Sequence, residues 1–301
     1  MISNLDPSSQ LFLANLDRVQ QTISTANAQV SSGKKISSAS DAPDQIGSLL
    51  QLRAQLQHNS QIQTNLTSAQ ADATAADSAI SSAISMMDQA LTLGEQGANS
   101  TQTSDVLANL AQQVEGIQEQ MVGVSQTAVQ GRYIFSGDKM DSPAYTFNSS
   151  LLATNPVVMQ SSAPATYRVE DPAGGSFAAA QSSQQIFDSS SGSAFSALNS
   201  LRLALLSGDT TSVTNSISSI KQASTQLNTA LASYGSVENR IQTAITYAGS
   251  LDTQLRTQIS QTEDADVTSA AMQFTQSSTQ VQASLQMQGK MPHSSLFDYL
   301  G

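Results

Sequence analysis

The side chains able to do chemistry are few and scattered. There is no cysteine among the 301 residues, so thiolate nucleophiles, sulfur-bound metals and a disulfide framework are outside the available chemistry. His58 stands in a polar helical stretch and His293 follows a proline near the end of the chain. Two histidines so far apart read as surface side chains and not as a ligand pair. Glu263, Asp264 and Asp266 gather three carboxylates that would attract a cation, but QTEDADV lacks the alternating oxygen ligands and closing glutamate of a calcium loop. The expectation there is a solvated break between helices. Glu115 and Glu119 share the water side of a helix, and Gly174, Gly175 and Gly192 suit turns and match no phosphate-cradling pattern. No residue is assigned a catalytic, cofactor-binding or metal-ligating role, no cofactor is expected, and an enzyme is the weakest class of function.

What remains is apolar spacing. From Phe12 the apolar positions run Leu16, Val19, Ile23, Ala26 and Val30, steps of four and three that keep one stripe on one side of a helix. Asp6 and Pro7 open this helix and Gly33 closes it. A second helix is expected from Asp41, with Pro43 and Asp44 in its first turn and a stripe of Ile62, Leu66, Ala69, Ala73, Ala76, Ile80, Ala83, Met87 and Ala90. A third carries Leu107, Leu110, Val114, Ile117, Met121, Val124 and Ala128 and stops at Gly131. The methionines fall on such stripes, where they pack.

RYIFSGDKM, PAYTF, PVVM, TYRVEDPAGGSF and QQIFDSSSG then hold most of the aromatics and the β-branched pairs, which predicts a small β-rich insertion. Helical spacing returns at Phe195, Leu198, Leu201 and Leu205, with a stop at Gly208. Asp209 caps a longer helix through Val213, Ile217, Ile220, Leu227, Leu231 and Tyr234 that Gly235 is expected to break. A further helix carries Val237, Ile241, Ala244, Ala248, Leu251, Leu255 and Ile259, and after QTEDADV a last one carries Ala271, Phe274, Val281 and Leu285. The fold class is therefore mainly α: an elongated helical bundle or coiled coil with paired N- and C-terminal helices and a small β-rich inserted domain. Residues 1–42 with 256–301 form the terminal helical part, 43–135 with 194–255 the core bundle, and 136–193 the insertion.

Composition restricts the partners. Charged residues are 12%, aromatics 5%, the net charge is −11 and the pI about 4.4, which argues against nucleic acid and against an anionic membrane surface. No stretch approaches the roughly 20 apolar residues of a membrane-spanning helix, and the first residues show no cleavable leader. Ser, Gln, Thr and Ala clothe the helices, a surface that other protein can cover at modest desolvation cost. The stripe residues Phe12, Leu16, Val19, Ile23, Val30, Phe274, Val281 and Leu285 are therefore expected contacts between molecules, with Leu296, Phe297 and Leu300 of the tail LFDYL. Such narrow stripes on middling helix formers predict terminal helices that are poorly ordered until neighbouring molecules cover them.

The residues now resemble the bacterial flagellin superfamily, and more closely its hook-filament junction branch, hook-associated protein 3. VSSGKKISSASDAPD, Val30 to Asp44, is similar to the LSSGKRI and SDDP-like segment between the first two helices of those proteins. LLQLRAQLQ at Leu49 to Gln57, GRYIFSGDKMDSPAYTF at Gly131 to Phe147 and EDADVTSAAMQFTQSSTQVQASLQ at Glu263 to Gln286 look like further family segments. The ending LFDYL matches the junction branch better than flagellin itself. The resemblance implies a structural, non-enzymatic subunit of the extracellular bacterial flagellum, exported without a cleaved signal peptide and polymerising at the tip. Its implied partners are copies of itself, flagellin, the other hook-associated junction protein and a flagellar export chaperone. The bulk flagellin subunit is the first alternative and a secreted coiled-coil adhesin the second. Within this reading Lys34 and Lys35 are expected to meet carboxylates of a neighbouring subunit, with Gly33 giving the linker its backbone freedom.

Overall fold

The computed structural model describes residues 7–190 and 192–290. In chain order the elements are α1 (Pro7–Ser32), α2 (Ile46–Gly97), α3 (Ser104–Ser125), β1 (Ala128–Val129), β2 (Arg132–Tyr133), β3 (Tyr145–Phe147), β4 (Val157–Met159), β5 (Arg168–Glu170), β6 (Ser176–Ala178), α4 (Ser183–Phe187), β7 (Asp188–Ser189), β8 (Gly192–Ser193), α5 (Ala194–Ser207), α6 (Thr210–Glu263) and α7 (Val267–Lys290). The chain divides into two compact units, Met1–His58 with Asp252–Gly301 and Asn59–Leu251.

The Asn59–Leu251 unit is built on the heptad stripes. Every stripe position named above for α2, from Ile62 to Ala90, is buried, as are Leu110, Val114, Ile117 and Met121 of α3. Five of the nine α2 seam positions are alanine, which lets backbones approach closely while Leu66, Ile80 and Met87 fill the remaining volume. On α6 the seam is Val213, Ile220, Ala223, Leu227, Ala230, Tyr234, Ile241, Ala244 and Ala248. Leu198, Leu201 and Leu205 of α5 complete the core, and α5 packs along α3.

The expected break at Gly235 does not occur, for α6 runs on to Glu263. The step from Tyr234 through Val237 to Ile241 stays in helical phase, and one helical glycine costs only about 1 kcal/mol against alanine, less than the burial of the next turn contributes. Conversely α3 ends at Ser125 and not near Gly131, because Ala128 and Val129 pair with Tyr133 and Arg132 in a hairpin whose turn, Gln130 and Gly131, has positive φ at both residues. Thr103 caps α3, its hydroxyl accepting the Val106 amide.

The β content is slight, four separate antiparallel pairs of two or three residues each among the described residues. Tyr145↔Met159 to Phe147↔Val157 and Arg168↔Ala178 to Glu170↔Ser176 are the longest. Side chains, not a sheet, hold this segment to the helices. Arg132 pairs with Asp72 of α2 at 3.1 Å, and Arg240 of α6 lies 4.4 Å over the Phe177 ring and 3.5 Å from Asp171. Phe135, Phe187, Phe195 and Tyr145 form an aromatic cluster with centroids 4.6 to 5.8 Å apart. Burial, then the Asp188 carboxylate, raises the Tyr145 phenol far above its ordinary value.

The segment GRYIFSGD has a physical reason for its residues. At Gly137 φ is +60°, and a Cβ there would lie 2.4 Å from the Ala163 carbonyl oxygen and 2.6 Å from that of Pro164. The next residue, Asp138, donates its amide to Pro164 and accepts from the amide and hydroxyl of Thr166, both at 2.9 Å. A chain without side chain at 137 can therefore pass directly beside the irregular backbone of 163–166.

Candidate functional site

In the Met1–His58 and Asp252–Gly301 unit, α1 and α7 lie along one another. Phe12, Leu16, Val19 and Ile23 are half-buried and Ala26 is buried, as the α1 stripe requires. Val30 is exposed. On α7 the seam differs from the expected one by a residue: Ala270 and Ser277 are buried and Val281 and Ser284 half-buried, whereas Phe274 is 38% and Leu285 52% exposed. Choosing the stripe by apolarity alone misplaces it, because helices that approach closely prefer small residues between their backbones and push large ones to the edge. Met272 and Met287, expected to pack, are likewise exposed. Leu296, Phe297, Leu300 and His293 lie outside the described residues.

Phe12, Asn15, Leu16, Arg18 and Val19 of α1 face Gln280, Val281 and Ser284 of α7 across a groove of about 360 Å³. Beyond it the pair leaves Leu11, Leu13, Met272, Leu285 and Met287 in solvent, Leu11 and Met287 by more than two thirds.

The segment Ser32 to Ile46 holds a dense polar network. Gly33, with φ +69°, ends α1, its amide donating to the Gln29 carbonyl at 2.8 Å. The serines that follow are not a loose linker. Both carboxylate oxygens of Asp41 turn back on them, accepting from the amides of Ser37 and Ser38 at 2.9 and 2.7 Å and from both hydroxyls. Those bonds, Ser38 first, hold the Asp41 carboxyl at about 2. Asp41 therefore closes a loop instead of capping α2, and α2 begins at Ile46, five residues later than expected.

Here the chain's two distant connections meet. The amides of Lys35 and Ile36 donate to the Glu263 carbonyl at 2.6 and 3.2 Å, and the Ala265 amide donates to the Gly33 carbonyl at 2.9 Å. Lys34 and Asp264 form the antiparallel bridge between them. The Glu263 carboxylate, 3% exposed, receives the Lys34 ammonium on one oxygen and the Arg53 guanidinium, at 2.5 Å, on the other. Lys34, then Arg53, lowers its pKa although burial opposes them.

Two expectations are corrected. Lys34 finds its carboxylate within its own chain, since a connection 229 positions later is folded back on it, while the side chain of Lys35 is exposed. The acidic trio is not uniformly solvated: Glu263 is buried against Lys34 and Arg53, Asp264 accepts from the Ser260 hydroxyl at 2.5 Å, and Asp266 accepts from the Ser269 amide at the start of α7. Facing three ways, they do not converge, and no group of three or more metal-ligating side chains exists among the described residues. Spacing could not reveal Arg53 and Glu263 as partners. One signal was present: a glutamate in the last turn of a helix faces the negative end of the helix dipole and needs compensating cations.

The model of the bacterial flagellin N-terminal helical region matches residues 2–140, and that of the bacterial flagellin C-terminal helical region matches residues 217–300. No curated protein matches the chain. Among solved structures, the Xanthomonas campestris FlgL is similar with a TM-score of 0.61 at 16% identity, over 69% of this chain and 99% of that one. The Bacillus cereus FlgL aligns with a TM-score of 0.57 at 18% identity, over 70% of this chain and 99% of that one. The flagellar junction protein FlgL of Legionella pneumophila aligns with a TM-score of 0.54 at 11% identity, over 65% of this chain and 100% of that one.

Proposed function

We propose that this chain, which belongs to the bacterial flagellin family, is a structural subunit of the flagellum at the junction between hook and filament. Residues 1–42 with 256–301 would line the inner tube, 43–135 with 194–255 would build the wall, and 136–193 would face outward. The observation that carries the reading is the unfilled apolar surface of the α1 and α7 pair: Leu11, Leu13, Met272, Phe274, Leu285 and Met287 stay exposed on two helices whose mutual seam is small and partly polar. Such a pair is incomplete in isolation and is satisfied by copies of itself and by kindred subunits above and below. The similar solved structures, a flagellar junction protein among them, support the junction over the bulk filament. Phe12, Leu16, Val19, Ile23, Val30, Lys35, Phe274, Val281 and Leu285 are the contacts we assign, with Leu296, Phe297 and Leu300 of the tail. Flagellin, the other hook-associated protein and an export chaperone are the proposed partners, and the site of action is outside the cell. We assign no catalytic step.

Electron microscopy of a strain lacking the chain tests this. Bare hooks with flagellin released into the medium are expected. Filaments that remain attached overturn the reading, and labelled chain found along the whole filament replaces the junction with the bulk subunit.

A further inference from the structure

We propose that Glu263 sets the register in which α1 pairs with α7, acting as a positioning residue for the terminal helix pair. The groove and the clamp are in one continuous antiparallel phase. Gly33 and Ala265 are hydrogen-bonded across the clamp, and Leu16 and Val281, which both line the groove, lie 17 and 16 residues away from them along the two helices. Arg18 and Gln280 stand 15 residues from the same two points. The groove thus lies at nearly the same distance from the clamp along both helices.

The seam itself specifies this alignment weakly. Its buried members are Ala26, Ala270 and Ser277, its larger ones are only half-buried, and its flanks are Ser, Gln, Thr and Ala. Displacement by a heptad would set similar residues opposite one another, and uniform narrow seams are prone to slip. A buried polar or ionic group at one point is the best-attested device for specifying register, since a slipped pair must leave it unsatisfied. The clamp has that form. Displacing either connection breaks three backbone bonds and parts the Glu263 carboxylate from Lys34, and displacing the one that carries Glu263 also takes it from Arg53 on α2. Of the neighbouring charged groups, Asp264 is bound by Ser260, Asp266 by the Ser269 amide, and the side chain of Lys35 is exposed. The two carboxylates are thus held by other donors, and Glu263 is the acceptor for both cations. Correct lateral assembly is a consequence that rests on the role proposed above, but the register does not, so it can be measured on the free full chain.

The absence of native cysteine makes cross-linking direct. Leu16→Cys with Val281→Cys reports the native register, and Leu16→Cys with Phe274→Cys or Gln288→Cys reports slips of one heptad either way. Under mild oxidation the otherwise unaltered chain should join 16 to 281 in preference to both slipped pairs. Adding Glu263→Gln should lower that preference about tenfold. Lys34→Gln, which leaves the carboxylate and backbone bonds in place, should lower it by a smaller factor, and Lys35→Gln should not change it. An unchanged preference in both Glu263→Gln and Lys34→Gln overturns the proposal, as does an equal loss in Lys35→Gln. Failure of 16 to join 281 in the otherwise unaltered chain overturns it too, since no register then exists to be set.

Discussion

The carboxylate of Glu263 and the guanidinium of Arg53, 210 positions apart in the chain, meet at 2.5 Å beside the ammonium of Lys34. Three charges from α6, α2 and the connection after α1 are thereby collected at one point of the Met1–His58 and Asp252–Gly301 unit.

This contact makes that unit acid-sensitive. The Glu263 carboxyl is lowered in the folded chain by Lys34 and then Arg53, so its contribution is fully present above the ordinary glutamate value of about 4.3 and disappears as pH falls through the lower folded value. Lys34 and Arg53 are each about half exposed, which places Glu263→Gln near the low end for charged hydrogen bonds, a loss of about 1–2 kcal/mol at neutral pH. Protease resistance of α1 and α7 against pH should show the loss in acid for the unaltered chain and a flatter profile for Glu263→Gln.

Gly137→Ala should destabilise the Asn59–Leu251 unit by about 2–4 kcal/mol, combining a left-handed backbone with a collision against the Ala163 and Pro164 carbonyls. Gly175→Ala is the control: its φ is +85° but a Cβ would meet nothing within 4 Å, so only the conformational part, about 1–2 kcal/mol, should be lost. Equal thermal shifts in the two variants would remove the close approach from the explanation.

Gly235→Ala should stabilise the protein by up to about 1 kcal/mol, since Gly235 lies inside α6 and a Cβ there meets nothing. A lower melting temperature would mean that the helix bends at this point in solution.

Tyr234 is buried, and its hydroxyl accepts the Gln181 amide at 3.1 Å. Burial pushes the phenol up to about 12, partly offset by that amide and reinforced by Asp72. A folded value above the unfolded one of about 10 contributes stability that is complete below pH 10 and is lost as pH rises through the folded value. Tyr234→Phe should cost about 1 kcal/mol at neutral pH by orphaning the Gln181 amide, and should weaken the alkaline transition. Ultraviolet titration of phenolate together with circular dichroism measures both.

The seams of the larger unit were legible as sequence because burial there follows one period: Leu66, Ile80, Met87, Val114 and Leu198 can only share a side of their helices, whatever the neighbours are. Stops at Ser207 and Gly208 and the end of α1 at Gly33 are local backbone properties and were legible for the same reason. Where a local signal competed with packing, the chain alone misled. Gly235 weakens a helix locally but the seam residues Tyr234 and Ile241 on either side of it keep the helix intact, and Asp41 could cap forward or bind backward, a choice made by Ser37 and Ser38 in three dimensions. The α7 seam was beyond sequence, and the partner of Lys34 was signalled only by a glutamate in the last turn of its helix. Which face of α7 turns inward depends on how closely α1 approaches, and the meeting of Lys34, Arg53 and Glu263 depends on two ends of the chain being folded back together. Sequence alone determined which residues are apolar and at what period; only the tertiary structure decided which distant charges share one buried point, because that proximity comes from the path of the backbone and not from spacing along it.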